Sequence, residues 1–192
     1  MYAQVRANRL DPPARCAQFR QARDELFRRH PQSALTGQQK ARFQGLRYYP
    51  YDPALRFAVP LDPAAQPGTL DVPLREEGLL RLGRIGKVRF TIESRPLELT
   101  VFWVLGYAGG FFLPFRDATS HTTTFPGGRY LLDTIKGADL GQEGGRLILD
   151  FNYAYNPSCA YSPQWDCPLA PPENVLPVEI RAGEQRYPDA GG

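Results

Sequence analysis

Residues 150–174, with the sequence DFNYAYNPSCAYSPQWDCPLAPPEN, exclude regular helix more firmly than any other part of the chain. Five prolines are distributed along this segment. Proline lacks a backbone N–H and restricts the residue before it, so we expect a stiff loop rich in aromatic and polar groups. The apolar run 146–150 predicts a short buried strand that delivers this loop to one place.

The composition predicts a β-rich protein with short connections. The chain has 192 residues, enough to bury a substantial core, and its 19 prolines and 18 glycines are numerous for a helical protein. We predict a single domain over residues 1–192. It would consist of a helical lead-in over 1–45 and a β-rich body over 46–187.

Helix signals are concentrated in the lead-in. Asp11 followed by two prolines is typical of a helix start, and this helix should end near His30 because Pro31 follows it. Thr36 begins a weak capping box that predicts a second short helix through about Phe43. We interpret the arginines of the first helix as a solvated face.

Beyond residue 54 the apolar period changes to two. The alternation predicts strands at 55–59, 70–74, 88–92, 97–105, 111–115, 129–135, 146–151 and 175–180. The expected fold class is mainly β with a minor α+β character. About seven to nine strands should form an antiparallel barrel-like or sandwiched sheet, with the N-terminal helix packed against it. The strand at 97–105 becomes apolar on both faces, so we expect it to be covered on both sides.

The charge pattern does not indicate a nucleic-acid partner. The formal net charge is +3, although residues 1–56 hold eleven Lys and Arg against four Asp and Glu. A nucleic-acid recognition motif does not accompany these basic residues, so we expect no nucleic-acid partner. The sequence contains no apolar run near the roughly 20 residues of a membrane span and no signal-type N-terminus, which predicts a cytoplasmic protein without membrane association.

Three polar segments lie beside predicted strands, at 116–124, 127–130 and 150–156. Their position near strand ends supports the hypothesis that they converge in one concave pocket. The protein would then bind a small molecule or an anion, or act as a hydrolase-like enzyme. Asp, Ser and Thr after a strand also form turns by bonding their own backbone, which is the structural interpretation. The alternative function is a non-catalytic interaction module that uses the Tyr- and Pro-rich loop 151–174.

The motifs specify neither a reaction nor a cofactor. The sequence has no GxSxG nucleophile elbow, and an imidazole mechanism would have to use His30 or His121. A two-carboxylate mechanism could draw on Asp117, Asp150 and Asp166, but their spacing does not select among them. The enzyme and binding hypotheses therefore both stay open.

The cysteines admit three interpretations. Cys159 and Cys167 lie in one loop, whereas Cys16 lies on the first predicted helix, and zinc spacing of the CxxC type is absent. The loop pair could be two buried thiols, a disulfide, or a metal-binding or catalytic thiol, and we predict no metal site. A disulfide would stabilise the fold by roughly 2–3 kcal/mol, but a reducing cytoplasm argues against one.

The motifs FFLPFRDATS, GGRYL and DFNYAYNPSCAYSPQWDCPLAPPENVLPVEIRAGEQ together resemble the bacterial and archaeal family called domain of unknown function 1684. The resemblance extends from about Phe19 to Tyr187 and implies no established activity. Family members usually have Gly where His121 stands and often Tyr where Phe125 stands, so His121 is not chosen as a catalytic residue. The family pattern matches the candidate ligand-binding residues, which are Arg116, Asp117, Thr119, Ser120, Arg129, Asp150, Asn152, Tyr155, Asn156, Cys159, Cys167 and Asn174.

Arg129 is predicted to be the central electrostatic group of the site. It follows two glycines and begins a predicted buried strand, so its side chain should start near the core. Its protein partner would be Asp117 or Asp150. If Asp is its only partner, Arg129 has a structural role. If its guanidinium is partly free at the floor of a pocket, it would bind an anionic ligand.

Overall fold

Three α-helices precede the β structure in the described part of the chain. The computed structural model describes residues 1–8, 10–74, 78–106 and 109–188. Helix α1 is short and was not predicted from the sequence. The helices are α1 (Tyr2–Ala7), α2 (Pro12–Arg29) and α3 (Gly37–Arg42).

The helix boundaries predicted from capping residues are confirmed. Asp11 Oδ2 accepts a hydrogen bond from the Ala14 N–H at 3.3 Å, and His30 is the C-terminal cap of α2. The side chain of Thr36 accepts from the Gln39 N–H at 3.2 Å, which completes the capping box of α3. Local hydrogen bonding at the helix ends therefore explains where both helices begin.

The strands form two antiparallel sheets. The order in the larger sheet is β2-β3-β4-β5-β6, and in the smaller sheet β1-β8-β7. Neighbouring strands in both sheets are antiparallel throughout. The strands are β1 (Arg56–Val59), β2 (Asp62–Leu74), β3 (Gly78–Ile92), β4 (Arg95–Val104), β5 (Phe111–Phe115), β6 (Arg129–Asp133), β7 (Gln142–Glu143) and β8 (Arg146–Asp150).

Strand β4 contributes to the hydrophobic cores on both faces of the larger sheet. Leu99 and Val101 belong to a core shared with the smaller sheet, whereas Phe102 and Val104 belong to a second core that includes Phe19 of α2. The prediction that this strand is covered on both sides is confirmed. The sheets are not closed into a barrel, and of the two predicted arrangements the structure has the sandwich-like one.

The strand predicted at 175–180 is wrong. The segment forms one isolated parallel bridge, to Arg116, and then continues as irregular extended backbone. Pro177 has no N–H to donate to a neighbouring strand. The Ile180 N–H is directed to the side chain of Asp117 at 3.3 Å. Side chains and single backbone contacts therefore take the place of a strand ladder here.

Strands β2 and β3 are longer than the alternation predicted, because prolines and glycines interrupt the pattern. The two strands pair from Leu74 opposite Gly78 to Asp62 opposite Lys87, with an irregularity after Pro63. Strand β2 lies at the edge of its sheet, where a missing N–H is tolerated. The strand predicted at 129–135 ends earlier than expected, at the boundary given above for β6.

Gly128 allows the loop before β6 to pass close to the backbone of β5. Its φ is +92°, and a Cβ at this position would lie 2.5 Å from the Phe115 carbonyl oxygen. Gly128 is therefore the position where the two backbones approach each other closely. Any side chain would combine left-handed strain with a backbone clash.

We expect Gly128→Ala to lower the free energy of unfolding by at least about 3 kcal/mol, because strain and clash add. Gly145→Ala is the matched control, since Gly145 also has a positive φ, +76°, but has nothing within 4 Å of the added Cβ. The control should lose about 1 kcal/mol. Urea unfolding of both variants measures the difference, and equal losses would contradict the close approach.

Candidate functional site

Arg129 lies inside the protein at the start of β6. Its Nη2 donates to Asp117 Oδ2 at 2.8 Å and to the Ile180 carbonyl at 3.0 Å. Its Nη1 donates to the carbonyls of Ala182 and Glu184. Both charged side chains of the ion pair are 1% exposed. We therefore interpret Arg129 as a structural tie between β6 and residues 174–188, the C-terminal segment. Asp117 is its charged partner.

The polar residues after β5 bond to one another. Asp117 Oδ1 accepts from the Thr119 N–H at 2.7 Å, and Ser120 Oγ accepts from the Asp117 N–H at 3.2 Å. Thr119 Oγ1 lies 2.9 Å from Thr124 Oγ1. Arg116 is half-buried, and its N–H and carbonyl both bond to the backbone of the C-terminal segment. These contacts favour the structural interpretation of this segment.

Three other candidates are buried beside backbone groups. The side chain of Asn174 bonds to both backbone groups of Thr100 and also to the Pro114 carbonyl at 2.8 Å, so it joins β4 to β5. Asn156 Nδ2 donates to the Gln185 carbonyl at 2.8 Å. Tyr155 is buried, and its hydroxyl donates to the side chain of Asp133 at 3.4 Å. All these hydrogen bonds stabilise the fold around the loop.

Asp150 and Asn152 lie elsewhere, where the loop leaves β8. The Asn152 side chain bonds to both backbone groups of Asp52, at 2.7 and 2.8 Å. Asp150 Oδ1 accepts from the N–H of Asn152 at 3.0 Å and from its Nδ2 at 2.8 Å. Among the described residues, these are the two hydrogen bonds that the Asp150 side chain accepts, and both end at its Oδ1.

The three polar segments thus meet only in part. The 116–120 segment, Arg129 and Asn156 contact the C-terminal segment, whereas Asp150 and Asn152 lie beside β1 and α2. Their side chains have different partners, because each segment turns inward to satisfy the backbone nearest to it. Asp150 is the candidate that lines a cavity with charged side chains from other elements.

This cavity is bounded by α1, α2 and the smaller sheet. Its volume is about 350 Å³, and it is partly open to solvent. Asp150 is 3% exposed at its wall. The charged and aromatic side chains that line it are Arg6, Arg15, Arg56, Glu143, Asp150 and Tyr153.

Two of the three arginines in the cavity have carboxylate partners. Arg6 Nη1 lies 3.0 Å from Asp139 Oδ2, and Arg56 forms an ion pair with Glu143. Among the described residues, Arg15 forms no ion pair, and its Nε is buried without a hydrogen-bond partner. In the described part of the chain, the Nε atoms of Arg20, Arg116 and Arg129 are also buried without a hydrogen-bond partner, but these residues do not line the cavity. Buried donors in folded proteins are normally satisfied, so within this cavity the guanidinium of Arg15 is the cation available to an incoming group.

The carboxyl group of Asp150 is affected by the same surroundings. Burial raises its pKa above the ordinary value, while the hydrogen bonds from Asn152 and the charges of Arg56 and Arg15 oppose the increase. The cavity therefore combines one available guanidinium with one carboxyl group that favours the protonated form more than an exposed Asp does.

The loop cysteines are adjacent thiols. The Cys159 N–H donates to Cys167 Sγ at 3.3 Å, and both residues are half-buried and unbridged. Cys16 is buried in α2, and its thiol donates to the Asn152 carbonyl at 3.7 Å. Across the described residues, His, Cys, Asp and Glu side chains do not gather in groups of three or more that could hold a metal ion.

The contacts of several arginines within residues 1–56 could not be predicted from the sequence. Arg23 is buried and donates to Glu184 Oε2 at 2.8 Å, so the interpretation of the arginines as a solvated face is wrong for this residue. The roles of Arg15 and Arg56 were also missed. Eleven basic residues within 1–56 were the available signal, but their partners are distant in sequence.

The class of protein is defined by two antiparallel sheets arranged as in a sandwich, with helices on one side. The family described as "Protein of unknown function (DUF1684)" matches residues 41–185, more than half of the chain. The chain belongs to this family, so the resemblance found in the sequence is confirmed.

A solved structure extends this similarity. It is the solution NMR structure of the uncharacterized protein from gene locus rrnAC0354 of Haloarcula marismortui, with a TM-score of 0.64 and 29% sequence identity. The similarity covers 90% of this chain and 92% of that chain. None of the curated proteins matches the chain. Within the described residues, no helix combines the length and the apolar character needed to cross a membrane.

We expect Arg129→Lys to lower the free energy of unfolding by about 2–4 kcal/mol, because an ammonium group cannot replace the fork of donors beside a buried carboxylate. Arg181→Lys is the control, since Arg181 lies in the C-terminal segment that Arg129 holds and its side chain is 71% exposed. Chemical denaturation should show a loss for Arg129→Lys and no change for the control. An unchanged Arg129→Lys would show that the tie is not needed.

The buried carboxyl of Asp150 predicts a pH-dependent stability term. The pKa of Asp150 is raised in the folded state, so the native state holds the proton more tightly than the unfolded state does. The stabilisation that this proton provides is therefore lost as pH rises from about 4 through the folded pKa. Asp150→Asn keeps an acceptor oxygen but removes the titration. Urea unfolding between pH 4 and pH 8 should therefore show the wild type losing stability relative to Asp150→Asn. A difference that is constant with pH would contradict this assignment.

Proposed function

We propose that this protein binds a small polar metabolite in the cavity between α1, α2 and the smaller sheet. The ligand would carry an acidic group, either carboxylate or phosphate, and a hydroxyl or amine. The observation that carries the proposal is the guanidinium of Arg15, whose Nε is buried in this region without a hydrogen-bond partner. An anion bound at this guanidinium would supply the charge partner that Arg15 lacks among the described residues.

The charges around the cavity support a single acidic group. Arg6 and Arg56 already have carboxylate partners, so a ligand with one acidic group would be matched by Arg15. A guanidinium recognises carboxylate and phosphate through parallel hydrogen bonds. The volume of about 350 Å³ is near the lower end for ligand cavities, which favours a small metabolite.

Asp150 supports the second polar group of the ligand. Its Oδ1 is occupied by Asn152, which leaves Oδ2 available to accept a hydrogen bond from a hydroxyl or an amine. Because burial raises the pKa of this carboxyl, it could also donate a proton to a bound group. The hydrolase-like function predicted from the sequence would use Asp150 in this way, as an extension of the binding function.

The alternative function, an interaction module based on the loop 151–174, has less support. Its tyrosines Tyr153, Tyr155 and Tyr161 are buried in the cores, so they do not form an exposed aromatic face. The binding of a small ligand is therefore the function we favour. The cytoplasmic location predicted from the sequence stays part of this proposal.

Isothermal titration with inorganic phosphate, glycerol 3-phosphate and malate, at matched ionic strength against chloride, tests the proposal. At least one of these anions should bind, and Arg15→Gln should weaken that binding about tenfold or more, since a charged hydrogen bond is lost. Arg28→Gln is the control, because Arg28 lies on the same helix with its side chain 44% exposed. Equal affinities for the two variants would contradict the site.

The variant Asp150→Asn tests the role of Asp150 in ligand binding separately from that of Arg15. Removing the carboxylate charge should strengthen the binding of inorganic phosphate, which has no group for Asp150 to orient. It should reduce the preference for glycerol 3-phosphate over inorganic phosphate, because the hydroxyl acceptor is altered. An identical change for both probes would show that Asp150 does not contact the ligand.

A further inference from the structure

The loop 151–174 contains a second chemical group, independent of the cavity. Cys159 lies in the short helical turn Ser158–Ala160, and the chain returns so that Cys167 Sγ accepts a hydrogen bond from the Cys159 N–H at 3.3 Å. The side chains of Cys159 and Cys167 also interact with each other, and this interaction shifts the pKa values of the two thiols in opposite directions. Two sulfur atoms are thus held side by side.

The environment of Cys167 is that of a thiolate. The hydrogen bond from the Cys159 thiol lowers the pKa of Cys167 to about 7, with further contributions from backbone N–H groups and the charge of Lys136 and with burial opposing them. The Cys159 pKa is raised, chiefly because its thiol donates to Cys167, and it therefore keeps its proton. Of the two residues, Cys167 therefore favours the thiolate form more strongly, and Cys159 favours the protonated form.

We propose that Cys159 and Cys167 form a redox-active dithiol that reduces hydroperoxides and becomes a reversible intrachain disulfide. Cys167 is the attacking residue and Cys159 is the resolving residue. Both side chains are half-buried, so a small peroxide reaches them from solvent. Two thiols alone do not make a metal site with the donors that zinc requires, which leaves thiol oxidation as the chemistry of this pair.

The reaction balances with hydrogen peroxide as oxidant. The Cys167 thiolate attacks one peroxide oxygen, the O–O bond breaks, and the leaving hydroxide takes a proton from solvent to become water. Cys167 is now a sulfenic acid. The sulfur of Cys159 then attacks Cys167 Sγ, so that the S–S bond forms and the S–O bond breaks. The departing hydroxide takes the proton of Cys159 and leaves as a second water. Overall, two thiols and one peroxide give one disulfide and two waters.

Cys16 is a built-in reference for reactivity. It is 1% exposed, and burial raises its pKa to about 11. It therefore has the same side chain in a setting that disfavours both access and ionisation. Differences between Cys16 and the loop pair report on their surroundings.

The experiment treats the reduced full-length chain with substoichiometric hydrogen peroxide, followed by alkylation and peptide mass spectrometry. We expect a Cys159–Cys167 disulfide that dithiothreitol reverses, with Cys16 alkylated in full. Cys167 should react at least about tenfold faster than Cys16. A failure to form this disulfide, or equal consumption of Cys16, would overturn the proposal.

Single serine variants assign the two roles. Cys159→Ser should accumulate a sulfenic acid on Cys167 that dimedone traps, whereas Cys167→Ser should trap little or none at Cys159. Cys16→Ser should behave as the wild type. If either loop variant fails to fold, the pH dependence of iodoacetamide alkylation in the wild type gives the same assignment, with half-maximal rate near pH 7 for Cys167. Trapping at Cys159 instead, or a Cys167 rate that rises only with Cys16 near pH 11, would overturn the roles.

Discussion

The C-terminal segment depends on one buried guanidinium. This segment has no strand ladder, and Pro177 removes one backbone donor, so its carbonyls need partners from elsewhere. Arg129 donates to carbonyls at Ile180, Ala182 and Glu184, and Asp117 compensates its charge. A buried charge is tolerated when it is paired and hydrogen-bonded. Arg129 has Asp117 as its charged partner and hydrogen bonds at both Nη atoms, and its Nε is the one buried donor of the guanidinium without a partner among the described residues.

A second buried ion pair connects that segment to α2. Glu184 Oε2 accepts from Arg23 at 2.8 Å and from the Asn156 N–H at 3.1 Å. Burial raises the pKa of Glu184, while the charge of Arg23 opposes the increase. The tie at Arg129 therefore positions Glu184, and Glu184 in turn holds α2, the helix that carries Arg15. The cavity wall is set by residues that do not contact the cavity.

Local signals were sufficient to predict much of the fold but not the cavity. The start of α2 follows from Asp11, and the doubly covered strand β4 follows from its own apolar pattern. The cavity joins Arg15 of α2, Arg56 of β1 and Asp150 of β8, which only the tertiary fold brings together. A single sequence contains no local pattern for such long-range proximity. The predicted strand at 175–180 failed for the same reason, since its hydrogen bonds depend on distant side chains.

The loop after β8 contains several of the polar and reactive residues that were chosen from the sequence. Its buried tyrosines anchor it to the cores, and three short helical turns shape its backbone, at Phe151–Tyr153, Ser158–Ala160 and Pro172–Asn174. Such a loop places Asp150 at its start beside α2 and brings Cys159 to Cys167 within itself. The two cysteines are close in sequence, but the sequence left open whether they would be buried thiols, a disulfide, or a metal-binding or catalytic thiol. Asp150 could be chosen from the sequence, whereas its arginine neighbours required the structure, because only the folded chain shows which cation lacks a partner.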